Sequence, residues 1–298
     1  MDDGSTDGSL EAIKRFGGQI RWETGPNRGG NVARNRLLTL ARGEWLQYLD
    51  ADDYLLPDKI AKQMELFDGP VILLTSPLSP RGGEDARRPG KEVDVVFGPV
   101  TLEHWSEKDV RRELLPIPEP QDPWVLLARW YLPQTGASLW RKQAILDVGG
   151  WKPDQPCCQE HELYLRLLMA GKRFAYCASA GAVYRQWGEH TVCKHDKPEV
   201  RRRRLEIEQH AEDFLRPLGE LTPVRQGAIN TARLEIARVA WRDSDRSEAT
   251  SIAEVLRSSA PDFRPSGEPI CYRLAWKLIG FRLTETLAGW RRSLIRPS

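Results

Sequence analysis

The sequence is poor in the features that mark membrane, nucleic-acid-binding or disulfide-built proteins. No apolar run is long enough to cross a bilayer, and nothing at the start reads as a signal peptide. Neither sign of charge is in excess: 44 basic residues against 42 acidic ones leave a formal charge of +2. That balance gives no electrostatic footprint for a nucleic-acid binder, so no nucleic-acid partner is expected. Cysteine is sparse and poorly spaced. Cys157, Cys158, Cys177, Cys193 and Cys271 are odd in number, and the adjacent Cys157 and Cys158 lack the spacer of a zinc knuckle. A reduced, cytoplasmic setting is expected. No repeat of regular period appears.

What is present describes a folded chain. Its 298 residues are 40% hydrophobic and 29% charged, enough for one α/β domain and an appended helical region. Eleven tryptophans are many. Sugar-handling clefts use aromatic platforms, but core packing is the commoner use of this residue. Met1 runs directly into Asp2-Asp3-Gly4-Ser5-Thr6-Asp7-Gly8-Ser9. A turn of this composition usually follows a buried strand, so the domain is expected to lack its first strand.

Apolar spacing predicts helices at 9–16, 31–41, 57–67 and 159–170, and a helix ending at Gly149-Gly150. Short strands are expected at 19–23, 45–49, 71–75, 93–100, 137–140, 174–177 and 182–184. Residues 79–91 read as a mobile loop and 101–135 as Pro-rich and less regular. Alternating strands and helices argue for an α/β fold, a mixed sheet flanked by helices. After residue 197 the character changes to helices at 199–215, 222–242, 246–258 and 270–295, which divides the chain into domains 1–197 and 198–298.

The sharpest chemical feature is Leu49-Asp50-Ala51-Asp52-Asp53 at the end of an apolar strand. Ligands of open α/β sheets bind beyond the carboxyl ends of strands. Asp50 and Asp52, two residues apart on a turn, could share a hard cation such as Mn2+ or Mg2+. The competing reading is that Asp52 or Asp53 only caps the next helix. A second acidic group, Glu160 and Glu162, opens the helix at 159–170. The two point to different faces, so one role cannot serve both. The helix dipole alone favours acids there, and it would also keep a base ionised. Asp2 and Asp3 could cap a turn or hydrogen-bond a ribose and a base.

Three segments taken in order resemble one family. Asp2 to Ser9, then Asn31-Val32-Ala33-Arg34-Asn35, then Leu49 to Asp53 are similar to a family 2 glycosyltransferase with the GT-A fold. Gly149-Gly150-Trp151 and the run from Gln159 to Leu167 continue the resemblance, which covers residues 1 to about 190. It implies a nucleotide-sugar donor and transfer of one sugar to a glycan or lipid-linked acceptor, as in polysaccharide assembly. Asp2 and Asp3 then match acids at the base and ribose, and Arg34 an arginine beside the nucleotide. Asp50 and Asp52 match the Asp-x-Asp metal motif, with Asp52 the direct ligand. Glu160 matches the catalytic base of an inverting displacement. Asp53 serves the acceptor side or caps the helix.

Two departures are evident. The family's Glu-Asp pair reads Gln159-Glu160, giving the base one extra methylene. The missing first strand, with its helix ~30 residues, removes a wall of the base pocket and predicts an unstable or weakly active polypeptide. The alternative reading is a non-catalytic relative that binds sugar or nucleotide. Arg185-Gln186-Trp187 has the wrong order for a processive synthase, which favours single-sugar transfer. His190 and His195 are candidates for a third metal ligand, against the commoner surface role. Arg201 to Arg204 reads as a solvated face. In the last helix Tyr272, Trp276, Ile279, Leu283, Leu287 and Trp290 form an apolar stripe among basic residues. The stripe suits two placements equally, against the catalytic domain or on an anionic membrane surface through 270–296.

Overall fold

The computed structural model describes residues 1–67, 73–74, 93–106, 109–118, 122–179, 181–187, 196–265 and 267–295. The chain packs as two compact units, Met1–Asp196 and Lys197–Ser298.

The first unit is mixed α/β, as the alternating pattern predicted. Its larger sheet has the order β1 (Trp45–Leu46), β7 (Leu139–Arg141), β4 (Val95–Phe97), β8 (Phe174–Tyr176) and β3 (Leu73–Leu74). β4 and β8 run parallel, and the other neighbours are antiparallel. Val95, Val96 and Phe97 are all fully buried, which is why this strand reads as an unbroken apolar run. A second sheet has the order β2 (Tyr54–Leu55), β9 (Ala182–Trp187), β5 (Val100–Trp105) and β6 (Val110–Leu115). Every residue of β6 is exposed, and Arg111, Arg112 and Glu113 place charge on this open edge.

Helices α1 (Ser9–Lys14), α2 (Gly30–Leu40), α3 (Lys59–Met64), α4 (Pro123–Ala128), α5 (Lys142–Asp147) and α6 (Gln159–Met169) accompany the sheets. An aromatic core joins α6 to the strands: Trp140 stacks on Tyr164 at 5.0 Å, and Trp151 meets Tyr48 edge-on at 5.4 Å. Trp140 and Trp151 are therefore spent on packing.

Two sequence expectations change. Residues 19–23 form no strand: a 3-10 turn, Gly17–Gln19, leads to a single bridge between Asp2 and Thr24. Ile20 and Trp22 are exposed there, so the apolar spacing did not mark a buried strand. The stretch at 101–135, expected to be less regular, holds two strands and a helix among its described residues. It carries the β5–β6 hairpin, closed by Ser106 N–H donating to Asp109 O at 3.0 Å. Its prolines punctuate elements; Pro123 opens α4 behind Asp122, whose carboxylate accepts from Trp124 N at 2.8 Å. The loop at 79–91, His190 and His195 lie outside the described residues.

The second unit consists of α7 (Lys197–Leu215), α8 (Pro223–Arg242), α9 (Arg246–Ser259) and α10 (Ile270–Ile295). Thr222 and Asp245 cap α8 and α9 by accepting from Arg225 N and Glu248 N. Ala237, Ala240, Ala249 and Ala253 are buried where small side chains permit close helix approach, and Leu256, Tyr272, Trp276 and Phe281 complete that core. Arg201 is not part of a solvated face. It is buried, bound by Glu248 at 2.6 Å, Asp243 at 3.1 Å and Asp245 at 3.3 Å, while Arg202 stays exposed with Glu199 and Glu206. The final helix is interrupted at Gly280, with φ 74° and ψ 178°. The apolar stripe divides accordingly: Tyr272 and Trp276 are buried, whereas Ile279, Leu283, Leu287 and Trp290 are exposed. No described helix is long and apolar enough to cross a membrane.

Candidate functional site

After β1 the chain leaves the sheet with Tyr48 buried and Leu49 exposed, then closes a turn in which Asp53 N–H donates to Asp50 O at 3.1 Å. Asp50 is half-buried and Asp52 exposed on this turn. Asp53 is buried, its carboxylate accepting from Arg185 N at 2.9 Å. Burial, with Asp52 and Asp50 nearby, pushes its pKa up to about 7. Neither Asp52 nor Asp53 caps α3, whose N-cap is Asp58. That simpler reading of the acids falls away.

Arg34 joins this turn to the acidic helix. From α2 its guanidinium donates to Asp50 Oδ1 at 2.8 Å, to Gln159 Oε1 at 2.6 Å and to Asn31 Oδ1 at 3.2 Å. It also lies over the Trp151 ring at 4.9 Å. The asparagines on either side are structural. Asn31 donates to Lys152 O and Gln155 O at 2.7 and 3.2 Å. Asn35 donates to Trp151 O at 2.6 Å and accepts from Trp151 N at 2.8 Å. Gly150, at φ 78°, is required there: a Cβ would lie 2.6 Å from Asn35 Oδ1. The Asn31–Asn35 and Gly149–Trp151 motifs are thus two halves of one joint. Arg34 and Asp50 also line a cavity of about 440 Å³ with Trp22, Leu37 and Tyr48.

Asp2 and Asp3 shape the opening turn. Asp2 accepts from Ser5 N at 3.2 Å and Thr24 Oγ1 at 2.6 Å, and these bonds hold its carboxyl below the ordinary range. Asp3 accepts from Arg28 N at 2.9 Å and Gly29 N at 2.8 Å, just before α2. No hydrogen bond among the described residues links either to Asp50, Asp52 or Glu160.

Cys158 precedes α6 in the left-handed region, φ 57°. Glu162 is committed to Lys152 at 2.7 Å and Arg166 at 2.8 Å. Glu160 is half-buried and accepts a hydrogen bond from the Thr135 hydroxyl. Thr135 escaped the sequence reading because no motif surrounds it. So did Lys59, a buried amine pushed down to about 7 by desolvation, which donates to Gln47 Oε1. Trp130 was missed as well: at φ 61° it stacks on His161 with centroids 3.6 Å apart.

Among the described residues no group of three or more His, Cys, Asp or Glu gathers around a cation site. Asp50 and Asp52 offer two hard carboxylates on one turn. That donor set fits Mg2+ or Mn2+, which keep waters and take further ligands from substrate phosphates, better than a cation needing a full protein cage.

Residues 1–123 match the family model described as glycosyl transferase family 2. Over 68 residues the chain is 38% identical to an uncharacterized glycosyltransferase of Haemophilus influenzae, a stretch covering 22% of this chain and 27% of that protein. Over 62 residues it is 40% identical to a chondroitin synthase of Pasteurella multocida, covering 20% of this chain and 6% of that one. The chain thus matches only a minor part of either relative's length. Among solved structures, S. aureus TarS 1–349 in complex with UDP-GlcNAc is similar with a TM-score of 0.49 and 13% identity, covering 98% of this chain and 81% of that one. The mannosyltransferase PcManGT from Pyrobaculum calidifontis, in complex with GDP-Man and Mn2+, gives 0.44 and 16%, covering 99% and 74%. At that distance no residue role or ligand carries over from either structure.

Proposed function

We propose that the chain, whose residues 1–123 match the family model described as glycosyl transferase family 2, moves one sugar from a nucleoside-diphosphate-sugar donor to a hydroxyl of a glycan or lipid-linked acceptor. The observation that carries this reading is Arg34, whose single guanidinium binds Asp50 and Gln159 together, Gln159 being the neighbour of Glu160. That bridge supports reading the donor-side turn and the candidate base as parts of one site.

In this reading Asp2 and Asp3 hold the ribose and base, and Arg34 lies beside the nucleotide. Asp50 and Asp52 would hold Mn2+ or Mg2+, which supplies positive charge to a departing diphosphate. Glu160 takes the proton of the acceptor hydroxyl while that oxygen bonds to the anomeric carbon. The bond from that carbon to phosphate breaks on the opposite face, its electron pair leaving with the nucleoside diphosphate, so the anomeric configuration inverts. Residues 1–197 form the transferase domain and 198–298 a helical extension. The exposed Leu283, Leu287 and Trp290, with Arg282, Arg291 and Arg292, suit an anionic membrane surface and hence a lipid-linked acceptor.

The test is a screen of UDP-, GDP- and dTDP-sugars with Mn2+ by thermal shift, followed by a turnover assay. At a hundredfold excess over its dissociation constant a true donor stabilises by about 2.7 kcal/mol. That gain should vanish in Asp52→Ala, and turnover should vanish in Glu160→Gln. A second reading, donor binding without catalysis, is favoured by the Asp50 oxygen already engaged by Arg34. Full binding with no turnover of any donor or acceptor would establish it instead.

A further inference from the structure

We propose that Thr135 is a positioning residue for the base, fixing one carboxylate oxygen of Glu160 and leaving the other to take the acceptor proton. This rests on Glu160 being the base, as argued above. Thr135 is completely buried, and its hydroxyl donates to Glu160 Oε1. A general base works as a carboxylate, which can only accept, and the Thr135 hydroxyl is placed to donate to it. Among the described residues no other hydrogen bond reaches the Glu160 carboxylate, so Oε2 remains to accept a proton.

The donor is held as firmly as the acceptor. Residues 133–138 are tied to α6 itself: Tyr164 OH donates to Pro133 O at 2.9 Å and lies 2.7 Å from Ser138 Oγ. The same segment is tied to α3 by Gln63 Nε2 donating to Ala137 O at 2.9 Å. It is tied to the segment between β1 and the Asp turn by Gln47 Nε2 donating to Gly136 O at 3.0 Å. A hydroxyl on so constrained a backbone cannot follow a wandering carboxylate, so it selects one rotamer of Glu160. Glutamate has one more rotatable bond than aspartate, and Thr135 removes the freedom that bond adds. The segment also links the base to the Asp turn, since Gln47 binds Gly136 and Glu160 binds the adjacent Thr135.

The test uses the full chain and the nucleotide sugar found by the donor screen. Thr135→Val keeps shape and removes the donor, whereas Thr135→Ser keeps the hydroxyl. We expect Thr135→Val to lower kcat by about 10- to 100-fold with donor KM unchanged, the scale of a misplaced catalytic group. Thr135→Ser should stay within about threefold of wild type, and Thr135→Ala should behave as the valine variant if that one does not fold. In a Glu160→Asp background, where the shorter side chain no longer reaches Thr135, Thr135→Val should add nothing further. A folded Thr135→Val with unchanged kcat overturns the inference, as does a parallel loss of donor affinity and kcat that serine does not rescue. If Glu160→Gln is fully active, it is the base assignment that fails. If Glu160→Gln is dead and Thr135→Val is not, only the positioning role fails.

Discussion

Replacing Gly150 by alanine should open the joint between α2 and the start of the Trp151 segment, and the structure sets the size of the effect. Gly150 has φ +78°, where an L side chain costs about 1 kcal/mol or somewhat more. The new Cβ would fall 2.6 Å from Asn35 Oδ1 and 3.4 Å from its Cγ, so the Asn35 amide must move. That amide both accepts from Trp151 N and donates to Trp151 O, and each lost bond is worth about 1 kcal/mol. The expected loss is about 3 kcal/mol, the two hydrogen bonds together with the backbone strain. In a unit of this size it lowers Tm by roughly 6–12 °C. Thermal or urea melts followed by tryptophan emission measure it, because Trp151 is buried at the joint. Asn35→Ala alone should cost about 2 kcal/mol, since it removes the same two bonds. It also removes the atom in the way, so the double variant should cost no more than Gly150→Ala, a coupling of about 2 kcal/mol. A loss below about 1 kcal/mol in Gly150→Ala, or an additive double variant, would refute the reasoning.

Three further outcomes are expected. Arg34→Ala should weaken nucleotide binding and unlink Asp50 from Gln159, visible as a raised donor KM together with a lower kcat, whereas an unchanged KM would place Arg34 away from the donor. Glu208 is buried with its pKa raised to about 8 by desolvation, against an ordinary 4.5. A raised carboxyl stabilises the fold fully below its unfolded value and loses that contribution as pH climbs toward 8. Wild-type Tm should therefore fall relative to Glu208→Gln between about pH 5 and 8 and run parallel above that, and parallel curves throughout would contradict it. Substituting Leu283, Leu287 and Trp290 together by glutamate should abolish co-sedimentation with vesicles containing anionic lipid while leaving Tm nearly unchanged. These side chains are exposed, whereas deleting the helix would remove Tyr272 and Trp276 from the core. Retained sedimentation would dismiss the membrane reading.

Much of the architecture was legible because local pattern and tertiary need agree. The helices α2 and α6 and the buried β4 follow from apolar spacing alone, and Leu49 to Asp53 marks a strand end with acids at its tip. The sequence could not separate acids with a structural task from those free to act. Glu160 and Glu162 are chemically alike and two residues apart; Arg166, four residues on, pairs locally with Glu162, but only packing brings Lys152 to it and leaves Glu160 with Thr135. Asp53 looked like a third member of the acidic turn, yet the approach of the Arg185 amide from a strand 132 residues away buries it. Arg201 departs from the solvated face for the same reason, because Asp243, Asp245 and Glu248 reach it only after α7, α8 and α9 have packed.

The alternation of strands and helices, the acidic turn and the order of the motifs were all readable along the chain. These depend on residues close together in the chain, where side-chain periodicity and turn chemistry act. The tertiary structure decided which of those residues meet. Arg34 bridges partners 16 and 125 residues away, Asn35 locks to Trp151 across 116, and Thr135 finds Glu160 across 25. Hydrogen bonds of that reach are specified by the packing of the whole unit, and no local pattern contains them.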